Sequence, residues 1–190
     1  MSRVYIEDEI FNALTFNNQN TEEINYESCT FTNVVFTNAY LSKTTFTSCL
    51  FNDCDFSLTR LGNTSFKEVE FKNCKMLGLR FDECYPFLLS FSFEKCKLNL
   101  ASFYQLKINN TLFKDCDLQE VDFTETELSG STFNNCDLTN AIFDHTVLEK
   151  VDFRSSQHYS INPLLNNIKK AKFSATELKG LLDSFDIIIE

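Results

Sequence analysis

The chain has 190 residues, 43% of them hydrophobic, and a formal charge of −10. That length and apolar content support one domain with a core and exclude a disordered polypeptide, while the acidic balance disfavours nucleic acid and anionic membrane as direct partners, since both reward Lys and Arg. No stretch approaches 18 apolar residues, and the opening MSRVYIEDEI lacks the basic and apolar regions of a secretory signal, so the expected location is cytoplasmic.

In chain order, the first element is a repeat with a step of five. Every fifth residue from Phe11 to Phe81, and again from Phe93 to Phe153, is apolar at 27 of 28 positions, Thr21 being the exception. Chance at this composition gives about 12. Two residues before most of these centres stands a small side chain, such as Cys29, Val34, Ala39, Thr44 or Cys54. With Pro86 counted as a centre, all eight Cys fall there. Neither a helix nor an ordinary strand has a period of five, so each unit is a short strand and a corner. The chain has four Gly and two Pro, so residues other than these must make the corners.

The coil length follows from the identities. Phe recurs at 11, 31, 51, 71, 93, 113, 133 and 153, and Cys at 54, 74, 96, 116 and 136. The step is 20 except for one of 22, so each turn has four sides. About seven coils at ~4.8 Å make a rod roughly 35 Å long. The odd step predicts a phase break at 82–93 holding Pro86, which cannot donate to a ladder. It reads as a tolerated insertion or as a projecting contact made by Tyr85, Pro86 and Phe87.

The repeat is expected to span residues 1–155, leaving 156–190 as a capping or dimerisation module. There Ser174 to Glu177 has the capping-box pattern. Leu178, Leu181, Leu182 and Phe185 follow at helical spacing, and Ile187, Ile188 and Ile189 read as a short strand. An apolar helix face caps the open end of a solenoid, and the further Ile run predicts a two-fold dimer through this module, an intrachain cap being the other reading.

No catalytic constellation, Gly-rich phosphate loop or zinc-type Cys spacing is present, so neither an enzyme nor a cofactor or metal site is expected. The Cys column reads as core packing. Charge is uneven: residues 111–153 carry ten acids and two bases, whereas residues 1–110 carry 13 and 10. Asp115, Asp117, Glu120, Asp122, Glu125, Glu127 and Asp137 are the candidate partner-binding acids, the other reading being the ordinary polarity of outward positions.

The pattern small-x-[Phe/Leu]-x-x over residues 11–155 resembles the signature of the pentapeptide-repeat proteins, and implies an all-β, right-handed quadrilateral β-helix, which the C-terminal tail would follow with a short α-helix and strand. The tail from Ser160 to Glu190 resembles the subgroup of quinolone-resistance and microcin-immunity proteins. That resemblance implies a C-terminal homodimer that imitates duplex DNA, binds DNA gyrase or topoisomerase IV, and relieves poisoning by a drug or peptide toxin. Long projecting loops found in several members are missing here, which keeps open a structural protein-interaction scaffold.

Overall fold

The structure is a computed structural model and describes residues 4–16, 23–185 and 187–188. Strands β1 (Val4–Glu7), β3 (Ile24–Glu27), β5 (Thr45–Thr47) and β7 (Ser65–Lys67) form one sheet in that order. Strands β2 (Ile10–Asn12), β4 (Thr30–Thr32), β6 (Leu50–Asn52), β8 (Val69–Lys72), β9 (Phe91–Glu94), β10 (Leu112–Lys114) and β11 (Thr132–Asn134) stack in that order into a seven-stranded sheet. All pairs are parallel, and partners lie 20 residues apart, as in Phe11 beside Phe31 and Phe31 beside Phe51. The exception is the expected one: Phe71 pairs with Phe93.

Residues 111–130 define the four sides through the inward centres Phe113, Leu118, Phe123 and Leu128, all buried. The seven-stranded sheet is the first side and the four-stranded sheet the fourth. On the second and third sides the coils join by single parallel bridges, such as Lys97 with Asp117 and Ser102 with Asp122. The chain is therefore a β-solenoid, built as the sequence implies.

The corners explain how a chain poor in Gly can turn. Among the described residues, the residue two after nearly every centre is held at positive φ, Glu83 and Ser155 being the exceptions. Among the described residues 27 non-glycine positions do this, including Asn33 (53°), Asp53 (54°), Asn73 (52°), Lys95 (54°) and Asp115 (54°). Each left-handed L-residue costs roughly 1–2 kcal/mol. The turned N–H is then spent on the next coil, as Asn33 N donates to Asn52 O at 3.0 Å and Lys95 N to Lys114 O at 2.8 Å.

Inside, the first side carries a ladder of nine rings. From Phe11 through 31, 51, 71, 93, 113, 133 and 153 to Phe173, neighbouring centroids lie 4.7 to 5.4 Å apart with near-parallel planes. The ladder thus runs past residue 155. Val147 bridges Asn167 and Asp152 bridges Lys172, so the first part of the module expected at 156–190 winds one more coil.

The small positions turn out to need a donor as well as little volume. Cys54, Cys74, Cys96, Cys116 and Cys136 each point Sγ at the backbone carbonyl 23 or 25 residues earlier, at 3.4 to 3.6 Å. Thr59, Thr126 and Thr146 make the same bond with Oγ1 at 2.8 Å. This is why Cys, Thr and Ser interchange in the repeat. All eight thiols are free and buried, and burial pushes the Cys49 thiol up to about 11. The native protein is therefore expected to leave a thiol reagent unconsumed for hours and to titrate eight thiols once unfolded. Rapid labelling of a folded thiol counts against a purely packing role.

At the phase break, Tyr85 N donates to Thr64 O at 2.9 Å and Ser90 N to Phe66 O at 3.0 Å, and the two extra residues are taken up between these points. Pro86, counted as a centre in the sequence, is exposed instead. Leu89 and Phe91 fill the core in its place.

Beyond the last coil, Ser174 caps Ala175–Leu181 by accepting from Thr176 N. The segment is wound as a 3-10 helix, as is Asp183–Phe185, rather than as the expected α-helix. Gly180 lies near its end. It is a poor α-helix former, and its carbonyl is engaged by Ile161 N at 2.8 Å. With three residues per turn, the spacing of Leu178, Leu181, Leu182 and Phe185 no longer makes one face. Leu181 packs on the core while Leu178 and Phe185 stay exposed. Ile187 and Ile188 lie in no strand, and Ile189 lies outside the described residues.

Candidate partner-binding surfaces

The rod offers three outward surfaces anticipated from the sequence. The first is acidic. Strand register places Asp117 beside Asp137 on the second side, the end of a column that reads Val35, Asp55, Lys75, Lys97, Asp117, Asp137 and Gln157. Like charges in register repel, and side chains of adjacent turns answer that repulsion. Asn99 Nδ2 donates to Asp117 at 2.7 Å and Gln119 Nε2 to Asp137 at 2.8 Å. Burial works against the ionised form of Asp137, but hydrogen bonds from Thr139, His158 and Gln119 outweigh it and hold its carboxyl at about 2. Asp137 is thus a fixed negative charge at any physiological pH.

The other acids wind away from this pair. Asp115 sits at the preceding corner and accepts from Asn135 Nδ2 at 2.7 Å. Glu120 occupies the next corner, Asp122 the third side, and Glu125 the corner after it, where Gln105 Nε2 donates at 2.8 Å. Glu127 reaches the fourth side and is paired with Lys107 at 2.7 Å. The run in sequence therefore becomes a belt around three sides, with one pair in register.

The second surface is the phase-break loop on the fourth side, where Tyr85, Phe87 and Leu88 are exposed. The third is the C-terminal end, where Leu178, Phe185, Ile187 and Ile188 are exposed and Leu182 is half-buried. Leu164 and Leu165, which the sequence reading passed over, add exposed apolar area at that end. Among the described residues no group of His, Cys, Asp and Glu is placed to hold a metal ion. No described helix is long and apolar enough to cross a membrane.

No curated protein matches the chain. Among solved structures it is similar to full-length QnrB1, a plasmid-mediated fluoroquinolone resistance protein, with 17% identity and a TM-score of 0.51 over 96% of this chain and 100% of that one. A trypsin-treated form of QnrB1 matches at 18% identity and a TM-score of 0.47, over 99% of this chain and 98% of that one. HetL, a pentapeptide repeat protein involved in heterocyst differentiation regulation in the cyanobacterium Nostoc sp. strain PCC 7120, matches at 12% identity and a TM-score of 0.41, over 90% and 87%. At these identities the likeness is one of fold. Residues 27–75 match the model for pentapeptide repeats in nine copies, and residues 88–162 match that for a pentapeptide repeat region, one on each side of the phase break. The five-residue step, the four-sided coil and these two matches together place the chain in the pentapeptide-repeat family.

Proposed function

We propose that this protein binds a type II topoisomerase, DNA gyrase or topoisomerase IV, as a DNA mimic and shields it from a quinolone or a peptide toxin. The observation that carries this reading is the in-register pair Asp117 and Asp137, with Asp137 held ionised in the most acidic stretch of the chain. Two carboxylates stacked on adjacent coils at ~4.8 Å set a local pair of negative charges in line with a rigid rod, a feature that a cationic DNA-binding groove rewards. Fold-level likeness to a fluoroquinolone resistance protein is in keeping with it.

The exposed apolar end formed by Leu178, Phe185, Ile187 and Ile188 supports a homodimer, which would bring two acidic belts toward the centre of a longer rod. Light scattering is expected to give twice the chain mass of 22.0 kDa; the monomer mass removes the dimer. One observation favours the scaffold reading instead: the acids occupy three sides, and Glu127 is neutralised by Lys107. A charge-reversing pair, Asp117→Lys with Asp137→Lys, separates the two. It is expected to weaken capture of purified gyrase by roughly tenfold or more, the loss expected when close charge pairs are reversed. Unchanged capture, together with no effect of the wild-type protein on supercoiling with or without a fluoroquinolone, leaves the scaffold.

A further inference from the structure

The corner rule exposes an anomaly. Left-handed corners suit Asn, Asp and Gly, and most corners here carry those or other polar residues. Three carry leucine: Leu58, Leu88 and Leu100, at φ 60°, 61° and 62°. Each is about three-fifths exposed, at 65%, 61% and 59%. A leucine in that position is strained by its backbone and wasted in water, and such outliers gather where a surface is used.

Leu58 and Leu100 share one corner column, between the second and third sides, with Gly78 between them. Nothing lies within 4 Å of the point where a Cβ of Gly78 would stand. The absent side chain leaves a notch between the two leucines. A depression of about 400 Å³ opens beside it toward Tyr40, Arg60 and Arg80. A second of about 410 Å³ continues on the other side of Arg80 past Leu100 and Tyr104 to Asp122. Bridges join Tyr40 to Arg60 and Arg80 through Ser102 to Asp122, and Arg60 and Arg80 line one depression; from Tyr40 to Asp122 is four coil steps, about 20 Å, or roughly six residues of extended chain.

The two arginines in this groove are in different states. Arg80 is committed to Asp82, its Nε 2.8 Å from Oδ1. Arg60 lies over the Tyr40 ring, 5.2 Å from its centroid, and makes no ion pair among the described residues. Its planar fork is held in place by the ring with its carboxylate-binding geometry unused.

We propose that this groove docks an extended segment of a protein partner, with an apolar side chain seated over Gly78 between Leu58 and Leu100 and a carboxylate on Arg60. The surface is distinct from the Asp117–Asp137 column, which faces out from the second side. The partner here is apolar and acidic, where the acidic column calls for a cationic one.

The test uses the full chain and an array of linear decapeptides that moves one leucine and one aspartate through a Gly-Ser background. Wild-type protein is expected to bind at a particular leucine–aspartate spacing and to need both residues. Arg60→Glu removes the carboxylate contact, and Gly78→Asn fills the notch with a residue that tolerates the same φ. Each is expected to lower binding roughly tenfold or more, the scale of one lost charge-assisted contact. Leu58→Asn with Leu100→Asn is expected to abolish binding while the melting temperature holds or rises, because Asn relieves both strain and exposure. Failure of every peptide to bind, binding that survives Arg60→Glu and Gly78→Asn, preference for lysine peptides, or loss of self-association as the sole effect of the leucine variant each overturn the proposal.

Discussion

Phe93→Ala is expected to destabilise the protein by about 3–5 kcal/mol, the range for removing a fully buried aromatic ring. Phe93 is wholly buried. Its ring lies between Phe71 and Phe113 at 5.3 and 5.2 Å and meets Phe81 and Phe103 at 5.7 and 6.0 Å nearly edge-on. It is also the first ring of the ladder after the phase break, so it joins the two regular stretches of the rod. A solenoid's stability is a sum over neighbouring coils, so a hole at this junction weakens the coupling of its halves as well as the total. Urea unfolding is expected to show a lower midpoint and a transition that broadens or splits. Phe93→Leu, a swap the repeat makes at other centres, is expected to cost less than about 1.5 kcal/mol and to keep one transition. If the alanine variant loses under 1 kcal/mol and stays cooperative, the ring ladder is not what joins the coils.

The ladder is the part of the fold that the sequence states most openly. A step of 20 among phenylalanines and cysteines is a statement about register, and the single step of 22 located the break that Phe71 and Phe93 bridge. Even Phe173 stands 20 after Phe153, but the steps of five between them fall on His158 and Pro163 before reaching Ile168, and the loss of those apolar centres hides the last coil. The corners were not legible by type. A left-handed Lys95 or Glu125 looks like any surface residue, because the backbone there is held by hydrogen bonds to the next coil. The terminal helix differs for another reason: its leucines have α-helical spacing, and nothing in that spacing marks the tighter 3-10 winding.

Function was legible to a lesser depth. The coil step does bring Asp117 and Asp137 together, yet a compact acidic run in sequence becomes a belt once each fifth residue turns a corner. The groove at Leu58, Gly78 and Leu100 has a signal too, apolar residues two places after a centre. Reading it requires adding the two-residue slip, since Gly78 and Leu100 are one coil apart at a spacing of 22.

Gly180→Val is expected to unseat the C-terminal segment at a cost of about 1–3 kcal/mol or more, as for overpacking against rigid backbone. A Cβ at Gly180 would fall inside the carbonyl oxygen of Tyr159 and within 3.0 Å of its ring and 3.1 Å of its carbonyl carbon. The neighbour is main chain, so it cannot yield as a flexible side chain would. Tyr159 is almost wholly buried, its ring against Phe153 and Phe173 at 5.7 and 5.5 Å. Burial, with a smaller push from Glu177, raises its phenol to about 12. Lifting the segment lets water reach that phenol, so its titration is expected to fall toward the ordinary value near 10. The tyrosinate absorbance of the variant, less that of the same protein carrying Tyr159→Phe, reads this directly. An unchanged titration means the segment accommodates the side chain and the close approach does not seat it. Leu178→Ser provides the contrast. Leu178 is 44% exposed, so its loss should leave the Tyr159 titration where it was while reducing the scattering mass of the proposed dimer by half. If both variants move both readouts, capping and self-association are one structural event; if each moves its own, the module closes the solenoid with one surface and meets a second copy with another.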